Sequence, residues 1–108
     1  MKYKVLTIAH FDKAIKRLVK KFPSLKMEYL SLIESLSINP KQGVDLGKNC
    51  YKIRIAIASK GKGKSGGARV ITYLKIKNKS VYLLDIYDKS DKENISDNDL
   101  TDLLSELD

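Results

Sequence analysis

The apolar residues of this chain change their spacing once, and that change limits the folds open to it. From Phe11 to Leu36 they recur every three or four positions; from Tyr51 to Tyr87 they alternate. The first period belongs to helices and the second to strands. Phe11, Ile15, Leu18, Val19 and Phe22 stripe one helix, and Lys13, Lys16, Arg17, Lys20 and Lys21 occupy its remaining arc, a strongly basic outer face. Pro23 stops that helix. Ser24 is the expected N-cap of a second helix, striped by Leu25, Tyr29, Leu32, Ile33 and Leu36 and ended by Asn39-Pro40. So short a break predicts an antiparallel helical hairpin.

Strands flank this hairpin on both sides. Residues 3–8 alternate and predict a short first strand. Gly43 and Gly47 mark a connecting loop. Tyr51, Ile53, Ile55 and Ile57 alternate with Lys52, Arg54 and Ala56, a strand with one buried face. A Gly/Lys/Ser loop over residues 59–67 leads to a strand over 68–76, then a turn at Lys77-Asn78-Lys79-Ser80 and an apolar strand over 81–87. Ser96 and Asp99 open a capped helix lined by Leu100, Leu103, Leu104 and Leu107, which should pack beside the sheet. The order β-α-α-β-β-β-α predicts the α+β class: an N-terminal strand and two-helix hairpin packed on a mostly antiparallel sheet, with helices on one face and a short C-terminal helix. A chain of 108 residues is expected to form one domain, residues 1–108.

Composition narrows the function. A single cysteine, Cys50, excludes an internal disulfide framework and a multi-thiolate metal site, and a single histidine, His10, excludes a multi-imidazole one. No metal or cofactor is expected. Cys50 reads as a small buried hydrophobe and His10 as a helix-start or surface residue. No apolar run approaches the ~20 residues of a membrane span, and the N-terminus lacks the h-region of a secretory leader, so a soluble cytoplasmic protein is expected. Net charge is +8, unevenly spread: residues 1–84 carry 19 basic and 4 acidic side chains, and residues 85–108 carry 2 lysines and 9 acids. A body so basic attracts polyanions, nucleic acid above all.

The positions of the cations say where. Gly63-Lys64-Ser65 matches the end of a nucleotide-phosphate loop, but the first glycine of that motif is replaced by Ala58 and a strand follows where a helix is required. Lys60, Lys62 and Lys64 read instead as a cationic flap over a phosphodiester backbone, or as solvated loop lysines. Lys52 and Arg54 project from one face of their strand, and Arg69, Ile71 and Tyr73 share a face of the next. If that face is open, Lys52, Arg54, Arg69 and Tyr73 gather on it, cations for phosphates and a tyrosine for stacking bases.

The order of elements, with Cys50-Tyr51-Lys52-Ile53-Arg54, Arg69-Val70-Ile71-Thr72-Tyr73 and Ile86-Tyr87-Asp88-Lys89-Ser90, resembles the RelE/ParE superfamily of bacterial toxins over nearly the whole chain. The lysine loop looks most like the HigB-type branch. The resemblance implies a partner antitoxin and, usually, cleavage of messenger RNA in the ribosomal A site. It places Lys52 and Arg54 at the family's two basic positions on the first strand of the C-terminal sheet and Arg69 at the arginine opening the next. Lys89 or Lys92 fills the basic position after the last strand. The last helix, residues 96–107, lacks the tyrosine of RelE members, so Tyr87 or Tyr73 would have to substitute.

The implied reaction is attack by the RNA 2′-hydroxyl on the adjacent phosphorus, which needs a base, an acid and positive charge on the phosphorane oxygens. Lys52, set among other cations, is the candidate base, and Arg54 and Arg69 would clamp the phosphate. The expected partners are ribosome, message and an antitoxin whose toxin-binding segment is acidic. Two other functions compete: a non-enzymatic ParE-like inhibitor of DNA gyrase and a stand-alone nucleic-acid-binding module. A gyrase binder has no need for Lys52, Arg54 and Arg69 together, which favours RNA.

Overall fold

A computed structural model describes residues 2–61, 63, 66–92 and 94–107. The elements run β1 (Lys4–Thr7), α1 (Ala9–Lys21), α2 (Leu25–Ile38), β2 (Val44–Gly47), β3 (Cys50–Ile55), β4 (Ala68–Lys75), β5 (Ser80–Asp88) and α3 (Asp97–Ser105), with 3-10 turns at Ala58–Lys60 and Ile76–Asn78. The five strands form one sheet in the order β1-β5-β4-β3-β2. Only β1 and β5 are parallel; the other pairs are antiparallel. The α+β class and the mostly antiparallel sheet are as expected.

The N-terminal helices bury the stripes the sequence marks. Phe11, Ala14 and Leu18 of α1 and Leu25, Leu32 and Leu36 of α2 are buried, with α2's Leu32 beside Ile53 and Ile55 of β3. Ser24, however, is not an N-cap. Its backbone is already helical (φ −65°, ψ −20°), which leaves its hydroxyl out of capping geometry. The hydroxyl instead accepts the Ser59 N–H (2.9 Å) and donates to Glu28 (3.2 Å), while the Ser59 hydroxyl accepts the Ser24 N–H (2.8 Å). The turn of the hairpin is thereby clipped to the segment leaving β3. Ser96 does cap α3, accepting the Asp99 N–H at 3.0 Å.

Two further expectations fail. The stretch read as a loop around Gly43 and Gly47 contains β2, an edge strand paired with residues 50–52 of β3. Its two-residue turn places Lys48 and Asn49 at positive φ (55° and 62°), the conformation a tight antiparallel hairpin requires. The second failure concerns the helices, which do not all lie on one side. Leu104 and Leu107 line a cavity with Tyr73 and Tyr82, and Leu103 lines another with Asp85 and Lys92. These sheet residues are on the face opposite Ile53 and Ile55, so α3 covers the face that carries Lys52 and Arg69. The reason is visible on β4. Ile71 shares that cationic face and is fully buried, and an isoleucine there needs a cover.

Leu100 and Leu103 of α3 are buried in this packing, worth about 1.5–3 kcal/mol each. Deleting residues 96–108 is therefore expected to lower the melting temperature by about 10 °C or more, since ~1 kcal/mol shifts a domain of this size by several degrees. A truncated chain that melts with the full-length one in a circular dichroism scan would show that α3 contributes nothing to the core.

Candidate functional site

Three strands in register build the site. Arg54 on β3 is the direct partner of Arg69 on β4, and Arg69 of Tyr87 on β5. Adjacent strands are ~4.8 Å apart, so the row crosses roughly 10 Å of one sheet face. Lys52 shares this face, one period along from Arg54, opposite Ile71, which is in turn opposite Asp85. At this point β5 carries a bulge: the register jumps from Ile71↔Asp85 to Thr72↔Leu83, leaving Leu84 as the extra residue. Such irregularities re-aim side chains beside functional sites.

Exposure divides the row. Arg54 is exposed and Lys52 half-buried, with the Lys52 ammonium donating to Asn94 Oδ1 at 2.8 Å. Arg69 is 4% exposed, and one guanidinium nitrogen donates to the carbonyl of Ala68 at 3.1 Å. Tyr87 is 7% exposed, and its buried hydroxyl has no hydrogen-bond partner among the described residues. Burial pushes the Tyr87 phenol above its ordinary range; Asp85 adds to the push and Arg69 works against it. The hydroxyl therefore stays protonated at neutral pH, a hydrogen-bond donor. The Lys92 ammonium stands 4.7 Å from the centre of the Tyr87 ring and 3.7 Å from Asp85.

The expected open surface is thus open only in part. Lys52, Arg54, Arg69 and Tyr87 come together, with Lys92 against Tyr87. Tyr73 does not join them. It is four residues along β4 from Arg69, about 13 Å, in ring contact with Tyr82 and beside the leucines of α3. Lys89 begins the turn after β5, and its N–H bonds the Gly67 carbonyl at 3.1 Å. Gly67 is required there, because a Cβ would meet the Ile55 carbonyl oxygen at 2.1 Å.

Lys60 departs from the role of a flap lysine. Its ammonium donates to Asp88 (2.5 Å), Gly66 O (2.8 Å) and Ser90 Oγ (3.0 Å), which engages all three of its hydrogens inside the fold. Lys62 and Lys64, the other lysines of that loop, lie outside the described residues.

Sequence reasoning missed the acids. Asp85 and Asp88 interrupt an otherwise apolar strand, a signal that they need partners. Asp85 accepts a hydrogen bond from the Ile86 N–H (2.8 Å) and pairs with His10 Nε2 (3.0 Å), across 75 positions of chain. Among the described residues, no group of three or more His, Cys, Asp or Glu side chains is placed to hold a metal ion. Cys50 is buried, and burial pushes its thiol up to about 11, the state of a packing residue rather than a nucleophile.

Burial alone would raise the Asp88 carboxyl, but hydrogen bonds from Lys60 and from the Ser90 N–H outweigh it and hold it below the usual carboxylate range. A carboxyl lowered on folding contributes stability above its unfolded value, near 3.9, and that contribution disappears as pH falls through the folded value. Thermal melts of wild type and Asp88→Asn across acid pH should therefore converge as the pH drops below ~4, with wild type the more stable above it. A constant gap between the two at every pH would contradict the lowered carboxyl.

Comparisons with known proteins bear on the fold and the family. Residues 6–106 match the family described as the RelE toxin of the RelE / RelB toxin-antitoxin system. Among solved structures, the chain is similar to an arginine-to-alanine double mutant of the E. coli toxin RelE in the free state, with 14% identity, 98% of this chain and 94% of that chain covered, and a TM-score of 0.58. It is similar also to the isolated E. coli RelE toxin in a P21 crystal form, with 13% identity, coverage of 97% and 98%, and a TM-score of 0.57. At such identities the structures speak for the fold. Among the described residues, no helix is long and apolar enough to cross a membrane. With nearly the whole chain inside the family match, this protein belongs to the RelE family of toxin-antitoxin toxins.

Proposed function

We propose that this toxin is a metal-independent endoribonuclease that cuts messenger RNA on the ribosome and is held in check by an acidic antitoxin. The observation that carries the reading is the row Arg54–Arg69–Tyr87 across three strands. Two guanidinium forks on neighbouring strands suit a phosphorane bearing extra negative charge.

The chemistry assigns a role to each group. Lys52, in its neutral form, takes the proton of the 2′-hydroxyl as O2′ bonds to phosphorus. Arg54 and Arg69 hold the non-bridging oxygens. The P–O5′ bond breaks, and the protonated phenol of Tyr87, which has no partner among the described residues, gives its proton to the departing 5′-oxygen. The products are a 2′,3′-cyclic phosphate and a 5′-hydroxyl. Lys89 and Lys92, on the turn beyond Tyr87, are phosphate contacts on either side of the scissile bond. The balance of +15 over residues 1–84 explains why an antitoxin segment would be acidic.

A defined message incubated with the toxin, with and without ribosomes, tests this. Cleavage only when ribosomes are present supports it; an intact message with blocked gyrase supercoiling would favour the ParE-like alternative. Within the same assay Arg54→Ala, at an exposed position that should leave the fold intact, is expected to lose about 10²–10³ in cleavage rate. A variant that folds normally by circular dichroism and cleaves at the wild-type rate would remove Arg54 from the site.

A further inference from the structure

Lys60 and Asp88 join segments that the strands alone do not hold together. The lysine belongs to the 3-10 turn leaving β3, and the aspartate is the last residue of β5. Their side chains are 12% and 2% exposed. From this pair, contacts run in three directions. Lys60 also bonds the Gly66 carbonyl at the far end of the β3–β4 loop, and Gly67 next to it accepts the Lys89 N–H. Asp88 shapes the turn after β5: its carboxylate accepts the Ser90 N–H at 3.0 Å, and its carbonyl accepts the N–H groups of Asp91 (2.9 Å) and Lys92 (3.3 Å). Behind Lys60, the reciprocal Ser24–Ser59 bonds and the Glu28 carboxylate on the Ala58 N–H (2.8 Å) anchor the 3-10 turn to the helical hairpin.

We propose that Lys60 and Asp88 are positioning residues: their ion pair locks both ends of the β3–β4 loop to the turn after β5, and so fixes the Lys89 backbone against Gly67 and the place of Lys92 beside Tyr87. The inference rests on the RNA-cleaving role proposed above, for which those two lysines are phosphate contacts. A lock differs from a direct RNA contact in the sign of one mutation. If Lys60 touched RNA, Asp88→Asn would release its ammonium and tighten binding. If the pair is a lock, Lys60→Met and Asp88→Asn loosen the same turn, and the double variant is no worse than either single one.

The double variant Lys60→Met/Asp88→Asn is the central reagent, because removing both charges leaves no unpaired buried ion to unfold the protein. Two readouts follow it and the single variants. Amide exchange at Lys89 should quicken about tenfold or more, with Val70 and Ile86 in the paired strands unchanged. In ribosome-dependent cleavage, kcat should fall about tenfold to a hundredfold, as expected for misplaced groups, while KM stays within about twofold. A purely structural role would lower the melting temperature and leave kcat of the folded protein alone. Wild-type kcat in the folded double variant, or tighter ribosome binding by Asp88→Asn, overturns the proposal. If the wild type cleaves no message, the functional reading has failed, and exchange at Lys89 decides the lock by itself: unchanged exchange overturns it.

Discussion

The register between β3, β4 and β5 is the constraint from which the rest of the molecule follows. Side chains alternate along a strand, so slipping β4 by one residue would turn Arg69 into the apolar layer under α1 and α2 and push Val70 out of it. As paired, Val70 opposes Ile53 and Ile86 on the helical side, while Arg69 opposes Arg54 and Tyr87 on the other. The apolar face thus pins the cationic one. A chain this small cannot leave the second face bare, however, because Ile71 lies between Arg69 and Tyr73 on it. α3 covers the Ile71–Tyr73 end, and what stays accessible is the corner around Arg54, Lys52 and the turn after β5.

The uneven charge along the chain has its explanation in that corner. Five of the nine acids of the last quarter lie against cationic groups of the body. Asp88 takes Lys60, Asp85 takes His10 and Lys92, and Asp99, Asp102 and Glu106 line a cavity with the same His10 and Lys92. Exposed pairs of this kind add little stability, and only the Lys60–Asp88 pair is well buried. Their effect is on the field: these acids offset part of the positive charge on the sheet face that carries Lys52 and Arg54, while the exposed lysines of α1 keep the opposite, helical face basic.

Much of this is legible in the residues. The helices, four of the five strands and the Ser96 cap follow from period and capping chemistry, and Lys52, Arg54 and Arg69 share a face because strand geometry requires it. What was not legible is long-range. A leucine stripe says that α3 buries a face and is silent on which sheet face it meets; Ile71 between two polar neighbours was the one hint. β2 escapes notice because it is a short exposed edge whose Val44 and Leu46 are too few to establish a period, turned through Lys48 and Asn49 rather than a glycine. Lys60 looks like its loop neighbours in sequence, and only folding brings it to Asp88, 28 positions away. His10 meets Asp85 for the same reason.

The most direct test of the cationic corner as the RNA site is a structure of the toxin on a ribosome whose A-site message carries a 2′-O-methyl group that blocks attack. The scissile phosphate should then lie within hydrogen-bonding distance of Arg54 and Arg69, with Tyr87 near the 5′-oxygen. A message held against the lysine-rich outer face of α1, with the Arg54–Arg69 face empty of RNA, would contradict it.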